Sequence, residues 1–235
     1  MTLFCKQGDY SLSSIPYYPV HLNVKGKTCL VVGGGRVGLR KARTLVKSGA
    51  RVKLLSPRLA EEIPRDMAGK ITWISAPYTS DYLGGITLVF AATDQKELNH
   101  QIATDTRNKG VLCNIADDPD ASDFILPAIV HRGDLIITVS TSGSSPAFAK
   151  KLRQDLEVQF GMEYARFLLL MGKIRSRLLA NGHDPDMHKT IFSTLIREDL
   201  LGMIVENNID RINHLLFSIL GSDYTYQNLI AGDPT

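Results

Sequence analysis

Cysteine is scarce in this chain of 235 residues: Cys5, Cys29 and Cys113 are an odd set, widely spaced, with no CxxC pair. That scarcity argues against a disulfide framework and against a structural zinc site. Cys29 and Cys113 fall inside expected strands, where cysteine behaves as a small buried hydrophobe. Metal-ligand spacing is missing too. His21, His100, His131, His183, His188 and His214 form no H-x-x-x-H pair and have no cysteine at ligand distance, so no metal site is expected. No apolar stretch approaches the ~20 residues that span a bilayer, and the N-terminus lacks a basic region followed by an apolar run. No membrane is therefore expected, and the cytoplasm is the default address. Charge of one sign is also lacking: 27 Lys and Arg against 24 Asp and Glu leave a net +3. Nor do basic and aromatic residues interleave as a nucleic-acid groove requires, so no nucleic acid is expected. An acidic small molecule held by a local basic cluster stays open. Repeats and low-complexity tracts are absent, and a hydrophobic content of 44% suits one large domain or two small ones.

What is present centres on Thr28 to Gly49, TCLVVGGGRVGLRKARTLVKSG. A β-branched run, Thr28 to Val32, enters Gly33-Gly34-Gly35-Arg36-Val37-Gly38, after which Val37, Ala42, Leu45 and Val46 recur at helical spacing. Gly33, Gly35 and Gly38 thus satisfy G-x-G-x-x-G between a strand and a helix, the context in which the motif has a mechanism. The first glycine permits the turn, the second removes a side chain that would block a pyrophosphate, and the third lets helix and strand lie close. The free N–H groups and positive dipole end of the helix then face the phosphates. A dinucleotide site is the first expectation.

The helix is expected from Val37 to Ser48 with Gly49 as its stop. Strands follow at Arg51 to Leu55, Ile71 to Ile74, Ile86 to Ala91 and Val111 to Ala116, with a helix from Glu97 to Asn108. This alternation predicts an α/β fold, a Rossmann-type doubly wound parallel sheet. Beyond it, Phe124 to Val130 and Leu135 to Ser140 read as a β-hairpin whose first strand contains Pro127, tolerable at an edge or a bulge. Thr141 to Ser145 is a small-residue loop. Ser145 and Pro146 are the N-cap and first residue of a helical region reaching about Leu220, with breaks near Gly161, Asn181-Gly182 and Asn207-Asn208. Asp223 to Thr235 reads as a polar tail, and residues 1 to 16 as a loose arm.

Candidate site residues cluster at strand ends. An acid usually follows the second strand to hold ribose hydroxyls, but here Ser56, Pro57 and Arg58 follow it. Ser56 can bond a ribose, and Arg58 can stack on adenine or pair with a 2′-phosphate, so the residues leave NAD and NADP both open. Ala92, Thr93 and Asp94 after the fourth strand, and Asn114 in the fifth, lie where open α/β sheets bind ligands; Asp94 is equally a cap for the next helix. Asp117 directly follows the fifth strand and suits a general base, although Asp118 and Asp120 beside it also describe a solvated turn. Lys150, Lys151 and Arg153 in the first turns of the helix at Pro146 oppose its dipole, which an anionic ligand would relieve. A merely solvated basic face is the plainer alternative.

In this order VVGGGRVGLRKARTLVKSGARV, AATD and CNIADDPDASDFILPAIVHRGDLIITVSTSGSSPAFAKKLRQDLE closely resemble the precorrin-2 dehydrogenases, the siroheme-forming family that includes stand-alone enzymes and the N-terminal module of siroheme synthase. The resemblance runs from about Tyr17 to Leu179. It is carried by the CN-x-x-D turn, the F-x-x-P hairpin and the S-P-x-x-A-x-x-L helix start together. It implies NAD-dependent oxidation of precorrin-2, an octacarboxylate tetrapyrrole, to sirohydrochlorin. Hydride would pass to C4 of NAD⁺ and a proton to the catalytic aspartate, which falls on Asp117. Some members also insert Fe²⁺, a ferrochelatase step. Cofactor contacts fall on Gly33, Gly34, Gly35, Arg36, Val37, Pro57, Arg58 and around Thr93. Members lack the second-strand acid, use NAD and are homodimers joined largely by the hairpin region and the helices after it.

The organisation so expected is a Rossmann NAD-binding domain at 17–115, a dimerising hairpin region at 116–145 and a helical domain at 146–222, with arm and tail at 1–16 and 223–235. From charge and position, Thr141, Ser142, Ser144, Lys150, Lys151 and Arg153 are expected to meet substrate carboxylates. The chain stops at Thr235, without room for a methyltransferase domain, so precorrin-2 is expected from another protein. Two rivals stand beside this reading. One is a non-catalytic NAD(H)-sensing module with a dimerising helical tail; the other is a small hydroxy-acid dehydrogenase, for which no His or Lys acid–base residue is evident at the strand ends.

Overall fold

A computed structural model of the chain describes residues 17–230, apart from the side chains of Pro185 and Asp186. The expected arm at 1–16, Cys5 with it, and the last part of the expected tail, 231–235, lie outside the described residues. The chain divides into two compact units between Leu126 and Pro127.

The first unit runs β1 (Thr28–Val32), α1 (Arg36–Lys47), β2 (Arg51–Leu55), β3 (Ile71–Ile74), β4 (Leu88–Ala91), α2 (Lys96–Asn108) and β5 (Leu112–Ile115). Its five strands are parallel in the order β3-β2-β1-β4-β5, so the direction of winding reverses between β1 and β4. Side chains of successive strand residues face opposite ways. Cys29 and Val31 accordingly join Leu39, Ala42, Leu54 and Phe90 under α1, while Leu30 and Val32 join Leu55, Val89, Ala91 and Ile102 under α2. Both faces are covered, which is why β1 from Cys29 onward and β4 are continuous apolar runs rather than alternating. The doubly wound sheet expected from the alternation is the one observed. α1 packs Leu39, Ala42, Leu45 and Val46 inward and ends at Gly49, whose φ of +82° is open to glycine at little cost.

The division at Leu126 lies beyond the expected one at 115 because the segment after β5 is strapped to that strand. The Cys113 N–H donates to the Asp123 carboxylate at 2.8 Å, the Ile115 N–H to Ser122 Oγ at 2.9 Å, and the Asn114 amide to the Phe124 carbonyl at 2.9 Å. Phe124 then sets its ring edge-on to Phe90, with centroids 5.6 Å apart.

The second unit contains the hairpin β6 (Ala128–Arg132) and β7 (Leu135–Val139), then α3 (Pro146–Gln159), α4 (Glu163–Ala180), α5 (Pro185–Arg197), α6 (Leu200–Val205), α7 (Ile209–Leu220) and α8 (Tyr226–Ile230). The hairpin is antiparallel, with Val130 opposite Ile137. Its first strand begins at Ala128, not at Phe124 as expected: Phe124 belongs to the first unit's core, and Pro127, lacking an N–H, stands before the ladder instead of within it. Ser145 caps α3 by accepting the Phe148 N–H at 3.2 Å, with Pro146 in the first turn. At the other end of α3, Arg132 donates to the carbonyls of Glu157 (3.0 Å) and Phe160 (2.8 Å).

Leu170, Ile174 and Leu178 recur every fourth residue along α4 and pack with Leu195, Leu200, Ile204, Ile212 and Leu216. The helices break at Gly161, Asn181-Gly182 and Asn207-Asn208 as expected, and also at Asp199. That residue takes a left-handed φ of +59° and caps α6 through the Gly202 N–H at 3.1 Å. The tail expected from Asp223 onward is corrected over 223–230: Tyr224 and Leu229 are buried in this core, and α8 closes it. Among the described residues no helix is long and apolar enough to cross a membrane. Leu229→Ala should therefore cost about 2 kcal/mol or more, read as a lower urea midpoint. An unchanged midpoint would mean that 223–230 is an unpacked tail.

Candidate functional site

The turn after β1 is shaped by how closely other backbone approaches it. A Cβ on Gly33, whose φ is +117°, would lie 2.2 Å from the Ala92 carbonyl oxygen; one on Gly34 would lie 2.2 Å from that of Arg58; one on Gly38 would lie 1.9 Å from that of Gly33. Glycine is required at all three. Gly35 differs: a Cβ there meets nothing within 4 Å. It is the N-cap of α1, no side chain caps that end, and no acid stands in the first turn. The turn is consequently walled by backbone on one side and open at Gly35, where the unpaired N–H groups and dipole of α1 favour an anion. That arrangement fits a dinucleotide pyrophosphate.

Around this turn the structure brings together Gly33 to Val37, Ser56 to Arg58, and Ala92 with Thr93. The Gly33 N–H donates to Leu55 O at 2.9 Å, and the Ala60 N–H to Gly34 O at 2.9 Å. Ser56, expected as a ribose partner, is buried and donates its hydroxyl to Arg58 O at 2.6 Å, so it shapes the Pro57–Arg58 loop instead. Trp73 Nε1 donates to Ser56 O (3.0 Å) and Ser75 Oγ to Pro57 O (3.2 Å), fixing that loop from β3 and the residue beyond it. Arg58 itself is exposed.

Thr93 is clamped by Asn99, which sequence reasoning missed. The Thr93 hydroxyl donates to Asn99 Oδ1 at 2.7 Å, the Thr93 N–H reaches the same oxygen at 3.2 Å, and the Asn99 amide returns to Thr93 O at 3.1 Å. The available signal was a polar residue on the inward face of α2, beside Ile102, Ala103 and Thr106. Asp94 is exposed and does not cap α2, whose N-cap is Gln95 with no side-chain bond. Asn114 is buried and spends its amide on Phe124 O, which makes it a brace of the strap.

Asp117 lies two residues beyond β5, exposed, in a left-handed conformation with φ +65°. Its neighbour Asp118 accepts the Ala121 N–H at 3.1 Å and stands 3.5 Å from His100 Nε2. Lys41 of α1 is half-buried, and burial first and the Arg40 charge second pull it below its ordinary pKa, against a smaller opposing effect of Asp117. The thiols of Cys29 and Cys113 are both buried, and burial holds both in the protonated form, Cys113 pushed up to about 11; neither is a nucleophile at neutral pH.

In the second unit the 141–145 loop bonds to itself: Thr141 Oγ1 accepts the Ser145 N–H at 3.1 Å, and Ser142 takes a left-handed φ of +51°. Lys151 pairs with Asp155 and Arg153 with Glu157, each one turn on, while Lys150 and Ser144 are exposed. Among the described residues no group of three or more His, Cys, Asp and Glu side chains is placed to hold a metal ion.

The sheet and its glycine turn define a Rossmann-type protein with a dinucleotide site. An NAD(P)-binding family model matches residues 20–128, and a model described as sirohaem biosynthesis protein central matches residues 132–159. The siroheme synthase of Nitrosococcus oceani is 42% identical over 164 residues, 69% of this chain and 35% of that protein; the siroheme synthase of Chromobacterium violaceum is 34% identical over 194 residues, 82% and 41% respectively. A solved structure, SirC, precorrin-2 dehydrogenase, superposes with a TM-score of 0.71 at 21% identity, covering 86% of this chain and 98% of its own. The chain belongs to the precorrin-2 dehydrogenase and siroheme synthase family. It spans little more than a third of the length of these siroheme synthases.

Two glycine variants separate binding from folding. Gly35→Ala should leave the thermal midpoint unchanged and weaken binding of NAD⁺ or NADP⁺, whichever the wild-type chain takes, at least about tenfold, because its methyl group enters the space a pyrophosphate needs. Gly38→Ala should instead lower the midpoint, since its Cβ collides with Gly33 O. Calorimetric titration and thermal melts of the two proteins check both outcomes.

Proposed function

We propose that this chain oxidises precorrin-2 to sirohydrochlorin with NAD⁺, Asp117 acting as general base. The observation that carries the reading is one arrangement within the first unit: a turn open at Gly35, at the reversal point of a parallel sheet, with an exposed aspartate two residues beyond the end of β5. Siroheme synthases among the relatives, and the precorrin-2 dehydrogenase fold, support the choice of substrate. NAD⁺ rather than NADP⁺ follows from the family resemblance, since Arg58 by itself accommodates either. When bound, the cofactor supplies the hydride acceptor. Gly33 to Val37, Pro57, Arg58, Ala92 and Thr93 hold it, with Asn99 bracing Thr93. Asp117 takes the proton lost as the macrocycle conjugates. Substrate carboxylates are assigned first to Lys150 and Ser144, with Thr141, Ser142, Lys151 and Arg153 beside them in sequence.

A homodimer belongs to the same proposal. Ile129 pairs with Thr138 and His131 with Ile136 on the outer face of the hairpin, and Ile129 and Ile136 are both 42% exposed, an apolar pair suited to cover by a second copy.

Anaerobic incubation with precorrin-2 and NAD⁺ should produce NADH and the sirohydrochlorin spectrum together. Asp117→Ala should keep NAD⁺ binding and the oligomeric state while turnover drops by about 100-fold or more; undiminished turnover would remove Asp117 from the reaction. Fe²⁺ added after oxidation stops tests it as a second substrate, through protein-accelerated insertion. NAD⁺ binding without oxidation would favour the sensing module.

A further inference from the structure

The loop after β2 spends its acceptors on the protein. Trp73 Nε1 donates to Ser56 O at 3.0 Å, Ser75 Oγ to Pro57 O at 3.2 Å and Ser56 Oγ to Arg58 O at 2.6 Å. Three successive carbonyls are therefore taken. Donors are what remain: among the described residues the Arg58 N–H has no hydrogen bond, and the Arg58 guanidinium is exposed with no ion pair at contact distance. The next acids along the chain come after Ala60; Glu61 is paired with Arg43 of α1 at 3.1 Å, and Glu62 is exposed. The loop is also held against the glycine turn, since the Ala60 N–H donates to Gly34 O at 2.9 Å and a Cβ on Gly34 would lie 2.2 Å from Arg58 O. Arg36, two residues beyond Gly34, is a second exposed arginine with no ion pair among the described residues.

A ribose diol donates two protons and needs an acceptor, usually the carboxylate at the end of the second strand. The backbone carbonyls of residues 56–58 are not free to serve. A phosphate monoester has the opposite need, and it matches an arginine fork beside an unpaired N–H. We infer that the ribose end of this site is built for a 2′-phosphate: Arg58 is its specificity-determining residue, and the chain binds NADP⁺ no more weakly than NAD⁺. This rests on the dinucleotide site of the proposed function and widens it, because precorrin-2 oxidation then runs with either cofactor.

The test uses the full chain, titrated calorimetrically with NAD⁺ and NADP⁺ and followed in parallel by the fluorescence of Trp73, the one tryptophan in the sequence. Wild-type protein should show a Kd for NADP⁺ equal to or below that for NAD⁺, and any preference should shrink as salt screens the phosphate. Arg58→Ala should lower the ratio of NADP⁺ to NAD⁺ affinity by about tenfold or more, the worth of a charge-assisted contact. Arg58→Glu should reverse the preference, since it places an acid where ribose hydroxyls can donate. With the adenosine half alone, 2′,5′-ADP should bind wild-type protein more tightly than 5′-ADP. A wild-type Kd for NADP⁺ clearly above that for NAD⁺ overturns the inference. So does equal weakening of both cofactors in Arg58→Ala, which would make Arg58 a stacking partner of the adenine. Binding of neither dinucleotide refutes the site, and the proposed function with it. Binding without oxidation of precorrin-2 refutes the reaction alone, and the two affinities then still decide the 2′-phosphate.

Discussion

The contact on which the first unit depends is the approach of α1 to the turn at Gly38, where a Cβ would lie 1.9 Å from the Gly33 carbonyl oxygen. Without that side chain the helix can sit directly against β1, and its first turn ends up lining the reversal point of the sheet. The geometry downstream follows from it. Lys41 stands about one turn further along α1, so the contact that opens the turn to a phosphate also delivers an ammonium above Phe90. Any change that lifts α1 away would disturb both places together.

Polar side chains around the crevice are used mainly to hold backbone. Ser56, Asn99 and Asn114 are each buried, and each bonds to main chain; Asp123 and Ser122 do the same for β5. Loops that carry ligand contacts from rigid strands need such ties, because an unpaired buried amide or carbonyl is costly. The exposed groups left over, Arg58, Asp94 and Asp117 among them, are free to meet something other than the protein.

Much of this was legible in the residues because it depends on local pattern. The continuous apolar runs of β1 and β4 follow from burial on both faces, and the glycine spacing from backbone approach, so sheet, turn and α1 could all be placed. Elements whose state depends on distant partners could not. Tyr224 and Leu229 sit in a short polar-looking stretch, and only a helical core assembled far upstream makes them interior residues. Pro127 reads as part of a strand until Phe124 is seen to be engaged elsewhere. Asn99 has meaning only once Thr93 is bent back toward it. Lys41 looks like any basic residue in an Arg-Lys pair, and its burial arises from packing over β4. The left-handed break at Asp199 left no glycine to mark it, since the aspartate supplies both the turn and the cap.

Cys29 sits on the central strand of the sheet and Cys113 on an edge strand, both shielded and protonated. A thiol in that state reacts with an alkylating reagent only when the strands around it part. The mass added at these two positions over time is therefore a built-in clock for opening of the nucleotide-binding unit. Because one lies on β1 and the other on β5, comparing their rates would reveal whether the sheet parts from its edge inward or all at once.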